Sequence, residues 1–343
     1  MVQKIVDVTS SLNAFSKQNQ VSFFYVLWRF IICYLKGFGL KEFLSYPLLY
    51  EIPANLIRYR EYSIFEKRVN PRSTGIVEFD KWIQSCVWKA NNIPHVKTYG
   101  FMGPRASVYQ LGERTLVNKK ISEVLELIPC PFVIKPAGGG HGDGFDIVDE
   151  YDKQSNIVQL RSGKRISVED FQREYFSKCD WIFQELVVQH ETLKQINSSS
   201  VNTARILTAT NEKGEFILLD GMMKFGTAGS MIDNMGAGGI GCHIDDNGKL
   251  SKGYSVNGNK IFECHPDSGI SLTGITIPFY QEVIDTVKTA HSCLPRPQFL
   301  GWDVAITPNG PVIVEVNSFM AVYVNQKHDN GYRQTGLKEF LEG

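Results

Sequence analysis

Residues 303–317 read Asp303-Val-Ala-Ile-Thr-Pro-Asn-Gly-Pro-Val-Ile-Val-Glu315-Val316-Asn317, two apolar strands around Pro308-Asn309-Gly310. Those three residues are strong turn formers, so the segment folds back on itself as a hairpin. Glu315 and Asn317 are two apart on one strand and share a face. The turn can bring Asp303 to that face. Two carboxylates and an amide oxygen meeting at one spot suit a hard cation such as Mg²⁺, which takes oxygen ligands and keeps waters and phosphate oxygens as the rest. The alternative is a hairpin with a polar outer face. Burial favours the first reading, since Glu315 stands inside Pro-Val-Ile-Val-Glu-Val and an unpaired buried charge is costly.

Upstream lies Phe132-Val-Ile-Lys135-Pro136-Ala-Gly138-Gly139-Gly140-His141-Gly142-Asp-Gly144-Phe. A Lys ending an apolar strand, followed by a loop rich in backbone amides, suits a polyphosphate: the amides donate and the ammonium supplies charge. No Lys-Ser/Thr follows Gly144, the third Gly of a dinucleotide turn is missing, and no helix pattern comes next. The pattern is strand, loop, strand, a lid over phosphates; its alternative is a mobile surface loop. Between these segments, Trp181-Ile-Phe-Gln184-Glu185-Leu-Val187-Val-Gln-His190 runs from strand to turn. Such a hinge can offer backbone to an adenine edge and a polar side chain to a ribose, although a plain core strand reads the same way. Residues 79–91 place Phe79, Trp82, Ile83, Cys86, Val87 and Ala90 at helical spacing, which predicts a helix with those residues on its apolar face.

Composition sets the frame. The chain has 343 residues, 43% hydrophobic and 21% charged, as in an ordinary globular protein of two or three subdomains. Its formal net charge is zero, so nothing overall recommends nucleic acid as a partner. Seven scattered Cys include no CxxC pair; a disulfide framework or zinc site is not expected, and a cytoplasmic location fits. The adjacent pairs Cys242-His243 and Cys264-His265 point to opposite faces of any strand and do not read as chelates. The aromatic stretch Val21 to Leu40 contains Arg29 and Lys36, too polar for a transmembrane segment. It reads as a buried or partner-facing helix in preference to an interfacial membrane helix. Strands and helices alternate without a regular βαβ rhythm, so the fold class is α+β. The expected organisation is a helical, aromatic-rich region (1–75), a segment leading into the core (76–130), a lid subdomain (131–183) and a C-terminal subdomain with the metal site (184–343).

In their order along the chain, Lys with its Gly loop, hinge, then Asp…Glu-x-Asn, these segments resemble the ATP-grasp ligase superfamily. Asp80-Lys81, followed by Asn92-Ile93-Pro94, looks like a segment of D-alanine–D-alanine ligases that carries a phosphate-contacting lysine. A closer resemblance is to the sugar-transfer-associated ATP-grasp group of polysaccharide biosynthesis. It rests on Ser199-Ser-Val-Asn202-Thr-Ala-Arg205-Ile206, Gly229-Ser-Met-Ile-Asp233-Asn234-Met-Gly-Ala-Gly-Gly239, His265-Pro-Asp-Ser-Gly269 and Gly301-Trp-Asp303-Val-Ala-Ile-Thr307. Two departures separate the chain from D-alanine ligases: Gly301-Trp302 stands where those have an Arg, and Ser318-Phe319 where they have Pro-Gly.

The resemblance implies an ATP-grasp fold, two α+β subdomains clasping ATP, behind a helical N-terminal region. It implies an ADP-forming carboxylate–amine ligase working through an acylphosphate, with a small or sugar-linked carboxylate and an amine as substrates. Lys81, Lys135, Gly138, Gly139, Gly140, His141, Gly142, Gln184, Glu185, Val187 and His190 would bind ATP. Asp303, Glu315 and Asn317 would hold one or two Mg²⁺, or Mn²⁺. Arg205 substitutes for the missing cation and acts with Lys135 in catalysis. Asn202, Lys224, Asp233, Asn234 and Ser318 are expected along the substrate pocket, and a homodimer is a candidate assembly. A nucleotide-binding regulatory module, or a kinase of the same fold, are the rival readings.

Overall fold

The computed structural model describes residues 2–45, 48–52, 56–70, 80–111, 114–138, 144–256, 260–294, 299–318, 320–321, 324, 326 and 340. Four helices come first: α1 (Val2–Gln18), α2 (Phe23–Leu35), α3 (Leu40–Ser45) and α4 (Tyr59–Val69). Leu12, Val26, Cys33, Phe38, Phe43 and Leu48 close a core of their own between the first three. α5 (Lys81–Ala90) follows, then β1 (Thr98–Met102), β2 (Ser107–Leu111), β3 (Arg114–Val117), α6 (Ile121–Leu125), β4 (Phe132–Pro136), β5 (Asp146–Asp152), β6 (Ile157–Leu160), β7 (Arg165–Ser167), α7 (Val168–Phe176) and β8 (Trp181–Glu185). These eight strands form one sheet in the order β3-β2-β1-β8-β4-β5-β6-β7. β4 and β5 pair antiparallel, so the Gly-rich loop connects two neighbouring strands.

The chain then runs through α8 (Glu191–Ile196), β9 (Thr203–Thr210), β10 (Phe216–Phe225), β11 (Ile240–Ile244), β12 (Leu250–Tyr254), β13 (Ile261–Phe262), α9 (Tyr280–Ser292), β14 (Phe299–Thr307) and β15 (Gly310–Asn317). A second, seven-stranded sheet has the order β13-β12-β11-β10-β9-β14-β15. The hairpin 303–317 is its edge, and the turn closes at Gly310 with a positive φ. Mixed helices and two antiparallel sheets make the fold α+β.

The α5 helix differs from its expected pattern. Asp80 caps it, its Oδ1 accepting from the backbone N–H groups of Trp82 (2.8 Å) and Ile83 (3.1 Å). Phe79 lies outside the described residues. The face it buries is Gln84, Ser85 and Trp88, whereas Ala90 is exposed. The cause is polar: Gln84 Nε2 donates to Val316 O (3.1 Å), and Val316 N–H donates to Gln84 Oε1 (3.0 Å). One side chain thus satisfies both backbone groups of an edge-strand residue, which repays burying an amide. One turn later Trp88 packs on Trp302, ring centroids 5.6 Å apart. One turn earlier stands Lys81.

Candidate active site

Three neighbouring strands carry the charges. Asp303 on β14 lies directly opposite Arg205 on β9 and Glu315 on β15. Directly opposed residues of a sheet present side chains to the same face, so this register sets cation, carboxylate and carboxylate in a row. A bulge next to the Asp303–Glu315 pair adds one residue to β15, which changes the alternation beyond it.

Asp303 is buried and held from two sides. Arg205 Nε donates to Oδ1 and Arg205 Nη2 to Oδ2, both at 2.7 Å, a bidentate pair. Lys224 Nζ stands 3.0 Å from Oδ1. Burial alone would raise the Asp303 carboxyl; Arg205 first and Lys224 second overcome that and hold it well below the ordinary carboxylate range. Lys224 also faces Asp233 Oδ1 at 3.6 Å. Asp233 Oδ2 accepts from Thr203 N–H (2.9 Å) and Thr203 Oγ1 (2.5 Å). Burial raises the Asp233 carboxyl despite Lys224, helped by repulsion from Asp303. The loop before β11 is tied down around Asp233: a Cβ on Gly239 would sit 2.8 Å from Asp233 O and 2.9 Å from Phe225 O, so only glycine fits there.

From the other side come two lysines. Lys81 Nζ lies 3.7 Å from Glu315 Oε2, and its backbone N–H donates to Ala137 O at 2.9 Å, where the Gly-rich loop begins. Lys135, at the end of β4, has its ammonium pushed down to about 8 by desolvation; Glu315 and Asp303 oppose that shift and Lys81 adds to it. The field of the hairpin carboxylates therefore reaches the lysine of the opposite sheet. Lys81, Lys135, Arg205 and Lys224 meet Asp303, Glu315 and Asp233 where the two sheets face each other. Asn317 Nδ2 donates to Glu315 Oε1 (3.1 Å), which turns the amide oxygen away from that carboxylate.

The remaining candidates divide. Gly138 bridges to Asp80, at the rim of the same cluster. Gly139, Gly140, His141 and Gly142 lie outside the described residues. Gln184 is buried and donates to Thr98 Oγ1 (2.8 Å); Glu185 Oε1 accepts from Lys97 N–H (2.8 Å). Val187 is half-buried on the hinge, and His190 caps α8, its Nδ1 accepting from Thr192 N–H (3.2 Å). Asn234 caps a short turn, accepting from Gly236 N–H (2.8 Å). Ser318 is buried beside Asn317, and its Oγ has no hydrogen-bond partner among the described residues.

Asn202 is corrected by the structure: it is fully buried, with Nδ2 donating to Gln189 Oε1 (2.8 Å) and Asn197 O (2.8 Å) and Oδ1 accepting from Asn197 (2.9 Å). Its amide is consumed in holding the hinge to α8 and cannot meet a substrate. Three supporting residues escaped sequence reasoning. Gln84 lies off the apolar face expected for its helix. Thr203 immobilises Asp233. His265, fully buried, contacts Gly226 O through Nε2 (2.9 Å) and so braces the loop that carries Asp233. Gly301-Trp302 also gains a reason. Gly301 has the Met320 side chain over it, where a Cβ would collide, and Trp302 points away, its Nε1 donating to Thr208 Oγ1 (2.8 Å). The cation beside Asp303 must then come from the neighbouring strand, as Arg205 does.

Two antiparallel sheets meeting over lysines and carboxylates, with Gly138 at the rim, make this an ATP-grasp fold. The chain belongs to the sugar-transfer associated ATP-grasp family, whose model matches residues 60–338. Among solved structures it is similar to an ADP complex of N5-carboxyaminoimidazole ribonucleotide synthetase (11% identity, 75% of this chain and 49% of that one, TM-score 0.45). It is also similar to an L-amino acid ligase from Bacillus licheniformis (13%, 79% and 50%, TM-score 0.44) and to a D-alanine–D-alanine ligase from Bacillus anthracis (11%, 72% and 58%, TM-score 0.39). The chain spans about half the length of the first two. Comparison with curated proteins finds no match.

Proposed function

We propose that this protein is an ATP-dependent, ADP-forming carboxylate–amine ligase. The observation that carries the reading is the meeting of Lys81 and Lys135 with the Asp303–Glu315 pair across the two sheets. Four cations around three carboxylates, partly withdrawn from water, suit a polyphosphate whose own charge needs neutralising. Lys81 and Lys135 would bind the phosphates. The hinge at Gln184–His190 would receive the adenosine. The chemistry of the donor set fits a hard cation: Glu315 offers a carboxylate, Asn317 would offer its amide oxygen after a turn of the side chain, and Asp303 keeps about one of its four lone-pair positions after Arg205 and Lys224 are served. A Mg²⁺ or Mn²⁺ held there would neutralise phosphate charge.

A substrate carboxylate oxygen would attack the γ-phosphorus, forming an acylphosphate as the bond to ADP breaks. An amine nitrogen would then attack the acyl carbon, lose its proton, and expel phosphate to leave an amide. Arg205 would stabilise charge on the transferred group, and the loop after Lys135 would keep water from the acylphosphate. Lys224, Asp233, Asn234 and Ser318 would line the pocket for the acid or the amine. The family's association with sugar transfer supports a sugar-linked acid and a role in polysaccharide or cell-surface glycan synthesis.

The test is ATP-dependent condensation across a panel of sugar acids and amino compounds, reading ADP release and product mass. An amide product with stoichiometric ADP is expected. A phosphorylated acid as the final product, with no amide for any amine, would make the protein a kinase instead.

A further inference from the structure

The family match begins at residue 60, so α2 lies outside it. This helix has 13 residues, and no helix among the described residues is long and apolar enough to cross a membrane. One face of α2 packs on the N-terminal core through Val26 and Cys33. The opposite face is apolar and bare: Phe24 is 79% exposed, Trp28 54%, Ile31 48% and Leu35 72%. Their spacing of four, three and four is that of one helical stripe. Tyr25 and Tyr34 flank it, 39% and 57% exposed. Single exposed apolar side chains need no explanation, but a continuous stripe of four with two tyrosines marks a contact surface.

The charges around the stripe say what it meets. From residue 8 to residue 41 there are four Lys or Arg and no Asp or Glu, in a chain whose overall net charge is zero. Lys36 is exposed at the C-terminal end of α2. Arg58 and Arg60 lie beside that end: the side chains of both come within 3.7 Å of where a Cβ on Gly37 would be, and Arg60 N–H donates to Gly37 O at 3.0 Å. Of the acids among residues 2–70, Glu42 and Glu66 are buried and Asp7, Glu51 and Glu61 are exposed. A second copy of the chain would bring a like-charged surface to this one. A bilayer with anionic headgroups offers the opposite charge, and an acyl boundary for the stripe.

We propose that α2 lies in the plane of an anionic lipid bilayer surface and docks the protein there as a peripheral, not a spanning, protein. Phe24, Trp28, Ile31 and Leu35 enter the boundary between headgroups and acyl chains. Tyr25 and Tyr34 sit at headgroup level, where amphipathic rings partition. Lys36, Arg58 and Arg60 contact lipid phosphates. Arg29 is engaged inward, its Nη2 donating to Leu48 O at 2.7 Å, and takes no part. Arg29 and Lys36 made a buried or partner-facing helix the preferred reading of the sequence; the bare stripe reverses that preference.

Sedimentation of the full chain with lipid vesicles tests this. The chain should pellet with vesicles of phosphatidylcholine mixed with phosphatidylglycerol, and much less with phosphatidylcholine alone. Trp28→Ser with Ile31→Ser should abolish pelleting while leaving the circular dichroism unchanged, since both side chains are exposed. Lys36→Ala and Arg60→Ala should each weaken binding about fivefold, as expected per surface cation. Absence of vesicle binding by the wild type overturns the proposal. So does a salt-stable dimer in light scattering that Trp28→Ser converts to monomer, because the stripe would then be a protein interface. Amide-forming activity on soluble substrates is read separately, and its absence leaves the vesicle result intact.

Discussion

The two sheets handle charge in opposite ways. In the eight-stranded sheet the ion pairs are on the outside: Arg161–Asp149, Lys164–Glu174 and Lys153–Glu126 all involve well-exposed side chains, and the interior is a cluster from Tyr99 to Phe183. Its contribution to the crevice is Lys135. The seven-stranded sheet has one exposed pair, Lys252–Glu263, but its central charges are inside: Arg205, Lys224 and Asp303 keep at most 19% of their side-chain surface. One sheet is held by apolar burial and presents a lysine. The other carries a charged network whose hydrogen bonds are already made. The second arrangement costs more to build and is pre-organised for anionic chemistry, because its dipoles and charges need not move when a ligand arrives.

The largest test of this contrast is at the two faces of the crevice. Lys135→Ala and Glu315→Ala should each reduce ATP turnover by about 100- to 1,000-fold or more. Their thermal midpoints should stay near that of the wild type, and wild-type turnover in either would remove the phosphate site from this crevice. Next comes the network itself. Asp303→Ala strips the largely buried Arg205 of its bidentate partner, leaves Lys224 with Asp233 alone, and should cost about 3–5 kcal/mol in denaturant unfolding. A loss below about 1 kcal/mol would mean the pair behaves like a surface one.

A third test uses pH. His291 on α9 is buried between Thr208 Oγ1 (2.8 Å) and Thr210 Oγ1 (2.7 Å), and burial pushes its imidazole down to about 4 from an ordinary 6.5. In the unfolded chain it binds a proton below 6.5; in the folded protein it does not until about 4. The seven-stranded sheet should therefore lose stability as pH falls through that window, by on the order of 3 kcal/mol at its lower end. His291→Gln should flatten this slope. Glu42, raised to about 7 by burial, acts in the opposite direction: it costs nothing below its ordinary 4.5 and destabilises the N-terminal helices as pH rises towards 7. Proteolysis of the first 45 residues should thus be slower at pH 5 than at pH 8. The smallest effect is expected outside the eight-stranded sheet, where Lys164→Ala should change stability by less than about 1 kcal/mol.

The hairpin 303–317 was legible because it combines an unmistakable turn with charged residues in an apolar run. Lys135 at the end of an apolar strand was legible for a similar reason, as was the return strand β5 beside it. What periodicity missed was polar burial. The spacing of Trp82, Ile83, Cys86 and Val87 marks an apolar face, yet α5 docks through Gln84 because an edge strand offered it a donor and an acceptor. Asn202 was read toward the substrate because it sits in a motif with Arg205; one residue of strand alternation and the Gln189 amide turn it inward. Lys224 was read toward the substrate pocket, not toward the metal-site carboxylate. Its contact with Asp303 arises because β10 lies beside β9, a neighbour relation that no local pattern encodes. The short strands β2, β3, β6 and β7 lacked any strong alternation.

The Gln84 clamp has a consequence in time. Its two bonds reach Val316, 232 residues further along the chain. At ordinary rates of synthesis the helix leaves the ribosome about 10–50 s before the strand it grips. Throughout that interval Lys81 has no Glu315 to face, and the crevice does not exist. Nascent chains that stop short of the 303–317 hairpin lack both Asp303 and Glu315, so the charge cluster is assembled only when that hairpin docks beneath α5.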